Sequence, residues 1–377
     1  MIKENNSRYH AFNIVYKFDS TKHQLKSIRH DYYKKNNIST SERSRSMVLS
    51  NEVVRWRRRL DSWISLSLDK PIKKLPPKVL SILRLAYYEY LMDDIIPSHA
   101  AVDSWVELSK KITNKKLSGL INAVLRKAHL INKKTPIPHQ DLASWQSFPE
   151  WMITNWVDQF GKSRTNELID YLNNTHGTDL RINFPIDKVE QEFLDQGISW
   201  SKSPNSKNFI RINSGLRKIL SSQIHLNGKV FVQNRAAGAV VEILNPKPNE
   251  TILDVCAAPG TKSIYIFQKM NESGNLFSSD INSSNVVKSL KRCNELELSI
   301  DWKVKDATKD IFPLADRILI DAPCTGTGVI SRKPDIKWRK DSKGPSKMSI
   351  HQNKILFHIS KFLKTNGIIV YATCSME

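Results

Sequence analysis

From residue 251 onward the chain alternates short apolar runs with helical stretches, and this alternation restricts its fold more than any other feature. The runs are TILDV (251–255), NLFSS (275–279), DWKVK (301–305), RILI (317–320) and GIIVYAT (367–373), with helical stretches such as SIHQNKILFHISKFLK (349–364) between them. Strands joined by crossover helices build a parallel, doubly wound sheet, whose ligands sit beyond the carboxyl ends of the strands. Functional side chains are therefore expected directly after the runs. Cys256, Asp280, Asp306, Asp321, Cys324 and Cys374 all stand there.

The first run leads into DVCAAPGTKS (254–263). Small residues at Ala257, Ala258 and Gly260 let the backbone turn tightly and approach a ligand, and the helix that follows offers unbonded N–H groups. Asp280 lies twenty residues beyond Gly260, where a carboxylate can accept hydrogen bonds from ribose hydroxyls. The G-x-G-x-x-G spacing of a dinucleotide site is missing. S-adenosylmethionine (SAM) needs no pyrophosphate cradle, so one glycine suits it better than a nicotinamide dinucleotide, and both stay open on these residues.

The four cysteines, Cys256, Cys293, Cys324 and Cys374, lie tens of residues apart, so the close pairs of zinc sites are absent and no metal is expected. Cys293 falls within a helical pattern and Cys256 within a tight turn, where thiols usually serve as small packing groups. Cys324 in DAPCTGTGVI (321–330) and Cys374 in YATCS (371–375) follow strands, where a thiolate can be reactive. Cytosine C5 is too weak a nucleophile to attack a methyl sulfonium. Addition of a thiolate to C6 moves electron density to C5 and removes that barrier. Two cysteines and Asp321 at neighbouring strand tips could supply the nucleophile, the base and a partner for the cytosine edge.

Upstream, residues 1–135 read as an all-helical bundle. Ala11, Ile14, Val15 and Phe18 recur at helical spacing, as do Val48, Leu49, Val53, Trp56, Leu60 and Ile64. Residues 136–230 read as a linker followed by a small α/β adaptor, and 231–377 as the doubly wound domain. The chain carries 58 Lys and Arg against 37 Asp and Glu, a net charge of +21. Such a surface favours a polyanionic partner, RNA or DNA. The run RWRRR (55–59) is the densest basic stretch and suggests part of a broad phosphate-facing surface. Arg332, Lys333 and Trp338, beyond Cys324, are candidates to clamp or stack on RNA. No stretch approaches the ~18 apolar residues of a membrane span, so a cytoplasmic monomer with no membrane partner is expected.

DVCAAPGTK, DAPCTGTGVISRKPDIKW and YATCS together resemble the signature motifs of the NOL1/NOP2/Sun family of RNA cytosine-C5 methyltransferases. The stretch IPSHAAVDSWVELSKK with LINAVLRK is similar to the NusB-like domain joined to the bacterial Sun/Fmu members, which modify 16S ribosomal RNA. The resemblance implies an all-α NusB-like bundle, an adaptor, and a Rossmann-like SAM-dependent domain. It implies that Cys256, Ala257, Ala258, Pro259, Gly260, Thr261 and Lys262 form the cofactor loop, with Asp280 at the ribose and Asp306 at the adenine. Asp321 would lie between cofactor and target base, Cys374 would be the nucleophile, and Cys324 would assist product release. The expected partner is 16S ribosomal RNA, alone or in a small-subunit assembly intermediate. Three departures stand out. Thr261 replaces a second glycine, Asn234 replaces a common acidic residue, and the final antiparallel hairpin expected after YATCS is missing, which leaves GIIVYAT as a sheet edge. A catalytically impaired RNA-binding protein that retains the fold is the alternative from another functional class.

Overall fold

The computed structural model describes residues 6–134, 141–203 and 206–377, the Ser98 side chain excepted. It forms two compact units: Met1–Thr175 with Gly326–Gly344 and Ser375–Glu377, and His176–Thr325 with Pro345–Cys374.

The first unit is built on α1 (Ser7–Ser20), α2 (Leu25–Lys35), α3 (Thr40–Arg55), α4 (Arg57–Leu66), α5 (Pro77–Leu91), α6 (Ser98–Ile112) and α7 (Lys115–Arg126). Local chemistry sets several of these boundaries. The Asn6 side chain accepts the Tyr9 N–H at the start of α1, and Ser39 with Glu42 forms a capping box at the start of α3. Pro77 occupies the first turn of α5, where no N–H is needed. Phe12, Val15, Leu60, Trp63, Ile82, Tyr87, Trp105 and Ile121 share one buried core. Within it Glu89, fully buried, accepts from Arg8 Nε (2.6 Å), Arg45 Nη2 (2.6 Å) and Trp105 Nε1 (2.5 Å). A buried carboxylate is tolerable only with such partners. The helical pattern read through residues 46–64 is broken at Trp56 (ψ 14°), which separates α3 from α4.

That break redirects the basic run inward, which overturns the expectation that RWRRR faces phosphate. Arg55 is buried and donates to Leu172 O (3.3 Å) and Ser331 O (2.8 Å). Arg59 lies over the rings of Trp56 (4.2 Å) and Trp145 (3.9 Å), Arg57 pairs with Asp19, and Arg58 pairs with Glu150. Guanidinium groups stack on indoles and bond carbonyls more readily than ammonium groups, so a run of arginines beside tryptophans can be structural.

Segment 326–344 completes this unit. Lys337 is fully buried, and its Nζ donates to Arg55 O (3.2 Å), Ser147 O (3.1 Å) and Asn173 Oδ1 (2.7 Å) over the Phe148 ring (3.6 Å). Burial, then the adjacent Arg55 charge, holds its pKa well below the usual lysine value. Trp338 donates its Nε1–H to Val54 O (2.7 Å) and packs beside Ile14, Phe18 and Leu25, so it is not presented for stacking on RNA. Arg332 and Lys333 remain exposed.

The second unit contains two sheets. The adaptor sheet is antiparallel, in the order β2-β3-β1-β4, with β1 (Thr178–Ile182), β2 (Ser199–Lys202), β3 (Phe209–Ser214) and β4 (Val230–Val232). The larger sheet is parallel throughout, in the order β7-β6-β5-β8-β9, with β5 (Thr251–Val255), β6 (Asn275–Asp280), β7 (Asp301–Val304), β8 (Ala315–Asp321) and β9 (Leu363–Ala372). Leu253, Val255, Ile318 and Ile320 pack on one face, and Ile252 and Leu319 on the other. Burial on both faces explains why these strands read as continuous apolar runs. Strand order reverses between β5 and β8, so their carboxyl ends flank the crevice where doubly wound sheets hold ligands. β9 is an edge strand, with Ile368 and Tyr371 partly exposed. No helix among the described residues is long and apolar enough to cross a membrane.

Candidate active site

The turn after β5 carries the first part of the site. Cys256 takes a left-handed conformation (φ 59°), and Gly260 does the same (φ 90°) at the cap of helix Thr261–Lys269. A Cβ on Gly260 would meet Trp302 at 2.9 Å, so both backbone angle and space require glycine. Ala257 N–H donates to Ser279 O (2.8 Å) and Ala258 N–H to Asp280 Oδ2 (3.3 Å), which ties this turn to the tip of β6. Thr261 opens the helix without distorting it.

A cavity of about 330 Å³ lies beside the turn, lined by Cys256, Ala258, Asp280, Asp306 and Asp321 together with His351 and Ile355. Its size falls within the ~300–1,000 Å³ of small-molecule sites. Asp280 also accepts the Asn282 N–H (2.9 Å). Asp306 accepts from Thr308 N–H (2.9 Å) and Oγ1 (2.6 Å), and these bonds hold its pKa below the ordinary value. Both carboxylates are thus fixed by local backbone and keep lone pairs for a ligand. His351 and Ile355 escaped the sequence reading, although their i, i+4 spacing puts them on one helical face.

A second cavity, about 180 Å³, shares Ala258 and Asp321 with the first and adds Gln233, Asn234, Pro259, Thr261 and Lys262. Lys262 Nζ lies 2.5 Å from Asp321 Oδ2. Asn234 caps helix Arg235–Leu244 by accepting from Ala236 N–H and donates to Asp179 Oδ2 (3.1 Å), a role the amide performs without the acid. Among the described residues no cluster of three or more His, Cys, Asp or Glu suits a metal ion.

The cysteines divide sharply. Burial pushes the Cys256 thiol up to about 12, and the carboxylates of Asp280, Asp254, Asp321 and Asp306 add to the shift, which favours the thiol over the thiolate. Cys293 is buried, receives the Trp302 Nε1–H at 3.3 Å, and is likewise raised by burial. Cys324 and Cys374 lie outside the core, at the strand tips. Asp321 of β8 is in register with Ala372 of β9, and Ala322 N–H donates to Ala372 O (2.9 Å). Two adjacent parallel strands therefore end together, and the sulfurs, fifty residues apart in sequence, lie 3.2 Å apart.

Asp254, at the core of β5, is fully buried. Ser263 Oγ donates to its Oδ2 (2.7 Å), its Oδ1 has no hydrogen-bond partner, and burial raises its pKa from 3.8 to about 7. A carboxyl raised on folding binds more protons in the folded state, so its contribution is fully present below the unfolded pKa. Stability should then fall between about pH 4 and pH 7 by up to ~1.4 kcal/mol per pH unit. In Asp254→Asn this component of the slope should vanish, as read by denaturant titrations from pH 4 to 8. An unchanged slope would refute the assignment.

Comparison with known proteins agrees with this geometry. Residues 241–377 match the family model of the 16S rRNA methyltransferase RsmB/F, and residues 5–129 match the NusB family. A probable ribosomal RNA small subunit methyltransferase B from Synechocystis sp. is 31% identical over 91% of this chain and 80% of its own length. Its namesake from Bacillus subtilis is 30% identical over 84% of this chain and 73% of its own. The chain belongs to the ribosomal RNA small subunit methyltransferase B family. The crystal structure of PH0851 shares the fold over 98% of this chain and 86% of its own, with a TM-score of 0.77 at 21% identity. NSun6 from Pyrococcus horikoshii, solved with SFG, shares it over 62% of this chain and 84% of its own, with a TM-score of 0.56 at 18% identity. Family membership accounts for both halves of the chain: the helical bundle is the NusB-like domain, and the parallel sheet is the methyltransferase domain.

Proposed function

We propose that this member of the family methylates C5 of a cytosine in 16S ribosomal RNA, with SAM as donor and through a covalent adduct on Cys374. The observation that carries the reading is the pair of sulfurs 3.2 Å apart at neighbouring strand tips. The larger cavity fits SAM: Asp280 can hold its ribose and Asp306 its adenine, and the Cys256–Lys262 turn can approach its methionine part. The use of SFG, a SAM analogue, with the structural neighbour NSun6 agrees with this assignment. When bound, SAM supplies an electrophilic methyl group.

Cys374 attacks C6 of the base as the thiolate, and the C5=C6 electron pair becomes available at C5. Once C5 is methylated, a base removes the C5 proton, that electron pair restores C5=C6, and the C6–S bond breaks to return the thiolate. Cys324 assists this elimination. Asp321, held by Lys262 and facing both cavities, binds the N3/N4 edge of the cytosine. In this reading residues 1–135 bind RNA, 136–230 are linker and adaptor, and 231–377 are catalytic; the enzyme acts as a cytoplasmic monomer.

Incubation with methyl-labelled SAM and 16S RNA, followed by nucleoside analysis, should place the label in 5-methylcytosine. Label in another nucleoside would overturn the chemistry, and RNA binding without label would establish the catalytically impaired alternative. Because the net charge is +21, RNA affinity should fall steeply and log-linearly with salt. Six or more phosphate contacts would cost roughly 10³-fold between 50 and 200 mM. A flat titration would rule out phosphate-dominated binding.

A further inference from the structure

The chain segments that directly follow the two cysteines are bonded to each other. Gly326 N–H donates to Ser375 Oγ (3.1 Å), and Met376 N–H donates to Thr327 Oγ1 (3.0 Å). The Thr327 hydroxyl in turn donates to Glu377 Oε2 (2.8 Å). Thr327 is fully buried, and both strings run into one apolar cluster in which Ile330 and Met376 pack with Phe148, Met152 and Trp156. Parallel strand pairing fixes the chain up to Asp321 and Ala372. Beyond that register, and past the Ala322 N–H to Ala372 O bond (2.9 Å), these side-chain bonds span the two exits.

We propose that Thr327 is a positioning residue that sets the spacing of the Cys324 and Cys374 sulfurs. Its hydroxyl serves as acceptor for one strand exit from a site on the other, so the turn carrying Cys374 cannot drift from the turn carrying Cys324. Nucleophile and assisting thiol must act on adjacent carbons of one base, and small displacements of reacting groups reduce rates strongly. A misplacement of about 1 Å can cost ~10²-fold. The hydroxyl itself touches neither cavity, so its loss should leave ligand binding intact.

The proposal rests on the methyltransferase reading for the meaning of the spacing, but the spacing can be measured without methyl transfer. Oxidised glutathione accepts two electrons from the dithiol: one thiolate forms a mixed disulfide and releases glutathione, and the second displaces the other glutathione. The equilibrium constant reports the effective concentration of one thiol at the other. Mass spectrometry of the Cys324–Cys374 linked peptides identifies the pair.

Thr327→Val should lower that effective concentration by about tenfold or more, and lower kcat by ~10–100-fold with KM for RNA and SAM unchanged. Thr327→Ser, which keeps the hydroxyl, should restore both. Unchanged thiol equilibrium and kcat in Thr327→Val would overturn the proposal, as would equal loss in Thr327→Ser. If Thr327→Val does not fold, Ser375→Ala, which removes the companion bond at a less buried position, decides in the same assay: a lowered effective concentration supports the stitch, and an unchanged one refutes it. If the wild-type chain transfers no methyl group, the function is misread, and the thiol equilibrium still decides the positioning role.

Discussion

Cys374→Ala should yield neither 5-methylcytosine nor any denaturant-resistant complex with RNA, whereas Cys324→Ala should accumulate such a complex. The first substitution removes the group that bonds C6, and without that bond C5 never becomes nucleophilic, so the loss should be complete within detection. The second leaves attack and methylation possible but slows elimination. Proton-transfer assistance is worth ~10²–10⁴-fold, enough to make a transient adduct visible on a denaturing gel. In the proposed mechanism only these two thiols serve, since burial and four carboxylates raise the Cys256 thiol and Cys293 lies in the core. An adduct in Cys374→Ala and none in Cys324→Ala would exchange their roles.

Lys337→Ala should destabilise the helical unit by about 3–5 kcal/mol, combining a core cavity with the loss of donors to three oxygens. Those oxygens, Arg55 O, Ser147 O and Asn173 Oδ1, come from three separated parts of the sequence, so one side chain closes all of them. Lys337→Met, which refills the volume without donors, should recover about half. Denaturant unfolding followed by tryptophan fluorescence can test this in a Trp200→Phe, Trp302→Phe background, because those two tryptophans lie in the other unit and the remaining seven, Trp63, Trp105 and Trp156 among them, lie in this one. A change within ~0.5 kcal/mol, the range of an ordinary surface substitution, would show that the lysine is not needed there.

The parallel sheet was legible because strands buried on both faces are unbroken apolar runs. All five core strands match the runs read from sequence, and the strand-tip rule led directly to Asp280, Asp321, Cys324 and Cys374. Short strands such as β2 and β4 carry too few residues for a period to register. The two helical patterns on either side of Gly161 are two helices within Glu150–Asn173, divided by a kink at that glycine (φ 77°). Side-chain burial set by distant partners was not legible at all. Nothing local distinguishes Lys337 in KPDIKW from a solvated basic loop, since its partners lie 164 to 282 residues away in sequence. The arginines at 55–59 misled for the same reason: charge is a property of the residue, but exposure is a property of the fold.

The dependence of the amino-terminal unit on segment 326–344 has a consequence for synthesis. The cluster around Phe12, Trp63 and Tyr87 draws on residues up to about 145, and can form early on the ribosome. The patches around Phe18 and Trp156 must wait for Ile330, Trp338 and Met376, which follow β1 to β8 in the chain. Until then the buried oxygens that Lys337 later satisfies stay open to water and to wrong partners. The nascent bundle is therefore exposed to chaperones and proteases while those eight strands are made, and closes only after them.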